Sequence, residues 1–295
     1  MKELKGVMPP IITAFNQDES FDEKGMRAHV DWLVENGVHG LIPTGSTGEF
    51  IALSLEERKR VIDVVLEAAA GRVLVYAGAA DYSTRTAIEL SRFAEKAGAD
   101  GVMIVNPYYI QPPIEDVLNH FRAIRQSVGL PIMLYNNPWV CGYELSVPKL
   151  VQLAEEGVIQ SVKLAHGPAQ PVHELLHFCG DKLAVMYGAD VEAPEGLLAG
   201  AAGWVTSLIN VAPRLCRRMY EAAAAGDVRA TFEVWNKLLP LIWFTYNGGI
   251  HWLQVVKTSI HLAGRPGGPP RRPTTLLQGR KAEELRQILA GIGLL

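Results

Sequence analysis

Apolar residues along the first two-thirds of the chain follow two alternating rhythms. Short apolar runs stand at 7–13, 40–43, 73–77, 101–105, 132–135, 159–163, 184–187 and 204–207. Between them apolar residues return every three or four positions, the spacing of one helix face. The stretch from Ser54 shows how one such helix begins. Its hydroxyl is placed to accept from the N3 amide while Glu57 reaches back, a capping box. Gly37 in Glu35-Asn36-Gly37-Val38-His39-Gly40 and Gly98 in Glu95-Lys96-Ala97-Gly98-Ala99-Asp100-Gly101 mark helix ends, closed by a left-handed glycine before a strand. Eight strands alternating with helices predict an α/β fold, a (β/α)8 TIM barrel. An open doubly wound sheet would call for G-x-G-x-x-G after the first strand, and none is there.

Beyond residue 212 the strand rhythm stops. Segments 212–225, 230–246, 250–262 and 280–289 read as helices, with Arg265-Pro266-Gly267-Gly268-Pro269-Pro270 as a loop before the last. The expected division is a catalytic barrel over 1–220 and a C-terminal helical region over 221–295 packed on it, since no linker separates them. The greasiest stretch, 238–246, is soon interrupted by Asn247, Gly248, Gly249 and His251. A bilayer span needs about 20 apolar residues, so this stretch is expected to be a buried helix.

Composition narrows the function class. A length of 295 residues suits one barrel with an appendage. A net charge of −3 is too small to point to nucleic acid or an anionic membrane as partner. Cys141, Cys179 and Cys216 are odd in number and widely spaced, which suggests reduced thiols. The start, Met1-Lys2-Glu3-Leu4-Lys5-Gly6, lacks the apolar stretch of a secretory signal, so a cytoplasmic location is expected.

The chemistry-bearing residues fall where strands hand over to loops. In a parallel barrel all such ends open on one face, and that face does the chemistry. Lys163 ends Val158-Ile159-Gln160-Ser161-Val162-Lys163, Tyr135 ends Pro131-Ile132-Met133-Leu134-Tyr135, and the run at 40–43 opens into Gly45-Ser46-Thr47-Gly48-Glu49. An apolar cavity lowers a lysine's pKa, and a neutral amine is what a Schiff base needs. A phenol beside it can move protons during carbinolamine formation and collapse. The Gly/Ser/Thr loop offers backbone N–H groups and hydroxyls to a carboxylate, and no lysine follows to make it a Walker-type phosphate loop. Separately, His173-Glu174-Leu175-Leu176-His177 matches H-E-x-x-H, with Glu192 or Glu195 as third-ligand candidates. Pro171 suits the start of an outer helix there. A zinc hydrolase is therefore a competing class, and a non-catalytic 2-oxo-acid-binding protein a third.

Taken together, these residues resemble the dihydrodipicolinate synthase / N-acetylneuraminate lyase family of class I pyruvate-dependent aldolases. The likeness begins at Gly6-Val7-Met8-Pro9-Pro10-Ile11-Ile12-Thr13-Ala14-Phe15 and takes in the Gly45 loop and Asn106-Pro107-Tyr108-Tyr109. It continues through Tyr135-Asn136-Asn137-Pro138, Val162-Lys163 and Tyr187-Gly188-Ala189-Asp190 to Gly264 and the prolines as far as Pro273. The resemblance implies that Lys163 forms the Schiff base with a 2-oxo acid and Tyr135 relays protons. Ser46 and Thr47 would bind the substrate carboxylate, with Ser46 linking Tyr135 to Tyr109, a tyrosine that reaches into a neighbouring subunit's site. Val205 and Asp190 would line the substrate pocket. It also implies no metal or other cofactor, and a homo-oligomer, a homotetramer built as a dimer of dimers.

One position departs from the pattern. In true dihydrodipicolinate synthases an arginine five residues after the relay tyrosine holds the second substrate's carboxylate; here that position is Val140, between Trp139 and Cys141. Losing a guanidinium that bonds a carboxylate bidentately is not a conservative change. The expectation is a Schiff-base-forming lyase, an aldolase or dehydratase, acting on pyruvate or a longer 2-oxo acid. An authentic 4-hydroxy-tetrahydrodipicolinate synthase is the alternative within the family.

Overall fold

The seam between residues 10 and 42 closes the architecture. In the computed structural model, which describes residues 3–165 and 167–295, eight parallel strands follow one another. They are β1 (Gly6–Val7), β2 (Gly40–Leu41), β3 (Leu74–Gly78), β4 (Gly101–Val105), β5 (Ile132–Asn136), β6 (Ser161–Leu164), β7 (Ala184–Tyr187) and β8 (Gly203–Trp204). Their order is β1-β8-β7-β6-β5-β4-β3-β2, and a parallel bridge between Pro10 and Ile42 joins the two ends into a barrel. Ile11 N–H donates to the Ile42 carbonyl at 3.0 Å, and Ile42 N–H to the Pro9 carbonyl at 2.9 Å.

The first strand is shorter than the expected 7–13. Pro9 and Pro10 carry no N–H, so they cannot sustain a ladder and pairing shrinks to the bridge. The last is shorter too: after Trp204 the chain turns into a 3₁₀ segment, Ser207–Asn210, whose start Thr206 caps by accepting from Leu208 N–H at 3.1 Å. The middle strands fall close to expectation. Buried on both faces, they read as near-continuous apolar runs.

Among the described residues there are twelve α-helices: α1 (Glu23–Glu35), α2 (Leu55–Ala69), α3 (Thr84–Ala97), α4 (Ile114–Ser127), α5 (Pro138–Cys141), α6 (Val147–Glu155), α7 (Gln170–Cys179), α8 (Ala193–Leu198), α9 (Pro213–Ala224), α10 (Val228–Asn247), α11 (Trp252–Leu262) and α12 (Gly279–Gly291). The Ser54–Glu57 capping box opens α2, with bonds of 3.2 and 2.8 Å. Gly98, at φ 89°, closes α3 just before β4, a conformation that costs glycine nothing. Residue 220 lies inside α9, which packs against β1 and against α10.

The greasy stretch 238–246 is only half a buried helix. Leu238, Leu241, Ile242 and Phe244 pack inward, while Trp243 and Tyr246 are 64% and 51% exposed. Hydropathy summed over a window cannot separate two faces of one helix, and here both are apolar. Among the described residues no helix is long and apolar enough to cross a membrane. The three cysteines are buried free thiols.

Candidate active site

Lys163 sits in β6 directly beside Tyr135 in β5, because the parallel register pairs these two residues. Its side chain is buried, and Nζ lies 3.8 Å from the centroid of the Tyr135 ring. Burial lowers the amine's pKa from 10.5 to about 7, opposed by the charge of Asp190. The path to the cavity passes Gly188, which follows β7. A Cβ there would stand 2.8 Å from Lys163 Cε and 2.9 Å from the Leu164 carbonyl oxygen, so only glycine leaves the lysine room. At neutral pH such an amine is in large part uncharged and nucleophilic.

Tyr135 Oη accepts from Asn137 Nδ2 at 2.9 Å, and burial pushes its phenol pKa upward. The neighbouring Asn136 ties the loop after β5 in place. Its amide donates to the Leu145 carbonyl at 2.9 Å, and its Oδ1 accepts from Leu145 N–H at 2.9 Å and Asn106 Nδ2 at 3.1 Å. Ser46 and Thr47 follow β2 and line the same cavity as Lys163 and Tyr135. Their loop is a tight turn in which Glu49 N–H donates to the Ser46 carbonyl at 3.1 Å. Thr44, at φ 53°, anchors it through Oγ1, which lies 2.8 Å from both the Pro43 and the Gly78 carbonyl.

The cavity holds about 380 Å³ and is rimmed by the ends of several strands plus the C-terminal helices. Val205 and Asp190 line it, as do Thr206 and Gly188. Asp190 is buried, and desolvation raises its pKa against the pull of Thr206, Tyr246 and Lys163. Tyr246 Oη donates to Asp190 Oδ2 at 3.0 Å. Val140 and Trp139 stand on the lip, both exposed, and Cys141 turns inward to donate from Sγ to the Asn106 carbonyl at 3.2 Å. Among the described lining residues Lys163 is the one cation.

Tyr109 lies elsewhere. It adopts a left-handed φ of 74°, unusual for a tyrosine, and its side chain is 94% exposed, outside the cavity of its own chain. It is Tyr108 that turns inward, meeting the Phe50 ring edge-on at 5.7 Å. Sequence reasoning missed Tyr246, Trp252 and Asn137. The first two arrive from helices beyond the barrel, and Asn137 looks like turn chemistry because a proline follows it. His173 and His177 are both exposed on α7, and among the described residues no group of three His, Cys, Asp or Glu side chains is placed to hold a metal ion. The spacing of H-E-x-x-H is met, but among the described residues no third ligand joins the two histidines.

Residues 3–292 match the Dihydrodipicolinate synthetase family. The chain is 39% identical to the 4-hydroxy-tetrahydrodipicolinate synthase of Methanopyrus kandleri, covering 99% of this chain and 98% of that one. The crystal structure of the chloride-inhibited dihydrodipicolinate synthase from Acinetobacter baumannii, complexed with pyruvate, superposes with a TM-score of 0.93 at 33% identity over 99% of this chain and 100% of that one. A prophage protein of the dihydrodipicolinic acid synthase family from E. coli K12, also in complex with pyruvate, gives 0.92 at 30% identity, covering 99% of each chain. With the barrel, the order of the strand-end motifs and a whole-chain match in agreement, the chain belongs to the dihydrodipicolinate synthetase family and is a lyase of that family.

Proposed function

We propose that the protein is a Schiff-base-forming lyase, an aldolase or dehydratase, whose substrate is pyruvate or a longer, hydroxylated 2-oxo acid. The observation that carries this is the Lys163 amine, held near a pKa of about 7 inside a cavity that also contains Tyr135 and the Ser46–Thr47 hydroxyls. The neutral amine adds to the ketone carbon, and the carbonyl oxygen takes up a proton. Tyr135 passes a second proton to that oxygen as water leaves, giving an iminium. Ser46 and Thr47 hold the carboxylate while the iminium draws electrons from the neighbouring carbon. Loss of the C3 proton to the Tyr135 phenolate left by the preceding step, or cleavage of the C3–C4 bond to release an aldehyde, gives an enamine, which then adds to an aldehyde carbon, expels a neighbouring hydroxyl as water or takes up a proton at C3. The pyruvate bound to the two structural relatives supports the same oxo-acid end of the substrate.

The polar lining of the cavity favours a hydroxylated substrate over one with a second carboxylate. Val140 offers no cation to a second carboxylate, and the described lining residues supply none besides Lys163. The rest of the lining includes the Asp190–Tyr246 pair and Thr206, groups that accept from or donate to hydroxyls. The names of relatives such as the Methanopyrus kandleri enzyme favour a second reading, 4-hydroxy-tetrahydrodipicolinate synthase, which condenses pyruvate with aspartate semialdehyde. Turnover of that aldehyde against a panel of 3-deoxy sugar-derived and other hydroxylated 2-oxo acids separates the two. The first reading expects weak or no turnover of the semialdehyde. A rate matching the best hydroxylated acid would replace it with the second.

Tyr109 is proposed to act across a symmetric dimer, completing the neighbour's Ser46–Tyr135 proton path, with two such dimers forming a tetramer. Its exposure outside its own cavity supports this arrangement.

A further inference from the structure

A fully buried lysine lies outside the lining of the Schiff-base cavity. Lys257, on α11, has no exposed surface. Its Nζ donates to the carbonyls of Thr13, Gly267 and Pro269 at 2.5, 2.8 and 3.2 Å. It stands 3.5 Å from Glu49 Oε1 and 4.8 Å from the centre of the Phe15 ring. Charge buried this deeply is costly unless paired and hydrogen-bonded, so a fold that keeps it uses it for something an apolar side chain would not do.

What Lys257 joins is informative. Thr13 follows the first strand, Gly267 and Pro269 belong to the strap after α11, and Glu49 ends the loop that carries Ser46 and Thr47. The strap lies so close that a Cβ on Gly268, at φ 63°, would stand 1.7 Å from the Phe15 carbonyl oxygen. Glu49 is buried in a left-handed conformation, φ 58°, and its Oε2 accepts from Arg271 N–H at 2.8 Å. Its own N–H holds the Ser46 carbonyl, and the Gly48 carbonyl accepts from Thr13 Oγ1 at 2.7 Å. A shift of Glu49 therefore passes through one hydrogen bond to the residue whose hydroxyl faces the cavity.

We propose that Lys257 and Glu49 are positioning residues: they fasten the C-terminal strap to the Ser46–Thr47 loop and so set that loop's grip on the substrate carboxylate. Neither touches substrate. The proposal rests on the reading that Ser46 and Thr47 bind the carboxylate. It predicts an effect on recognition of the acid group and little on amine chemistry, because Lys163 is held by β6 and Gly188 instead.

The test uses borohydride trapping of the Lys163 adduct, followed by mass, as the concentration of pyruvate or of neutral methyl pyruvate is raised. Glu49→Gln keeps the shape and the Arg271 bond but removes the charge; Lys257→Met removes the other charge. Each is expected to raise the half-trapping concentration about tenfold for pyruvate and less than about twofold for the ester, since a small displacement of a positioning group acts only on what it positions. A purely structural role would weaken acid and ester alike, and that result, or no shift for either, overturns the proposal. Should Lys257→Met fail to fold, Glu49→Gln alone decides. The combined Ser46→Ala/Thr47→Val variant tests the underlying reading separately. If it leaves pyruvate trapping unchanged, the carboxylate assignment fails. If it raises the half-trapping concentration while the Lys257 and Glu49 variants do not, only the positioning role fails.

Discussion

The titration of Lys163 gives the most direct access to the chemistry. A lysine with a pKa of 10.5 has about 0.03% of its amine neutral at pH 7, whereas one lowered to about 7 has about half. Burial in the barrel thus enriches the reactive form on the order of 10³-fold at neutral pH. The assay is acylation by a small activated ester, with the modified Lys163 peptide quantified by mass spectrometry from pH 5 to 10. The rate should climb with pH, bend near 7 and then level, because above the lowered pKa nearly all of the amine is already neutral. Asp190→Asn removes the nearby carboxylate, which opposes the lowering, and should move the bend to lower pH. In the same protein the native state binds fewer protons at this site than the unfolded chain between about pH 7 and 10.5, so the Lys163 contribution to stability improves as pH rises across that window. A rate that kept climbing to pH 10 without a bend would mean the amine is not desolvated, and the proposed nucleophile would be lost with it.

Tyr135→Phe should leave Lys163 reachable by the ester yet slow turnover by about 10²–10⁴-fold, and full turnover would remove the phenol from the proton path. Gly188→Ala places a methyl 2.8 Å from Lys163 Cε. Adduct formation should fall by about 10²-fold as the amine is displaced, while unchanged trapping would show that the lysine has another route into the cavity. Tyr109→Phe and Lys163→Ala chains, each inactive alone, should regain part of their activity after subunit exchange. In the mixed dimer one site keeps its own Lys163 and receives an intact Tyr109 from its neighbour; no recovery despite proven exchange would place Tyr109 outside that role.

The meeting of Lys163, Tyr135 and the Ser46–Thr47 loop in one cavity was readable because strand periodicity and chemistry coincide there. Lys163 and Tyr135 each end a β-rich run, and parallel register makes such ends neighbours. Val140 was readable by its distance along the chain from Tyr135. Tyr246 was not, because its partner Asp190 lies 56 residues away and the helix carrying it is apolar on both faces. Hydropathy marked that segment as buried when half of it faces the cavity mouth and solvent. Asn137 escaped for the opposite reason: its local setting explains it fully as a turn residue, and its bond to the Tyr135 hydroxyl exists only in three dimensions. The first strand was drawn too long because composition does not register the N–H groups that Pro9 and Pro10 lack.

The strap held by Lys257 and Arg271 also bears on how the protein comes into being. A nascent chain has every strand in hand once Trp204 has emerged from the ribosome, so the barrel can begin to close while synthesis continues. The loop bearing Ser46 and Thr47, made early, is fastened only when residues 257 and 271 follow, more than two hundred residues later. On the proposed positioning role, a chain stopped before residue 257 would carry Lys163 without a secured grip on the oxo acid, and would discriminate less between acids and their neutral analogues.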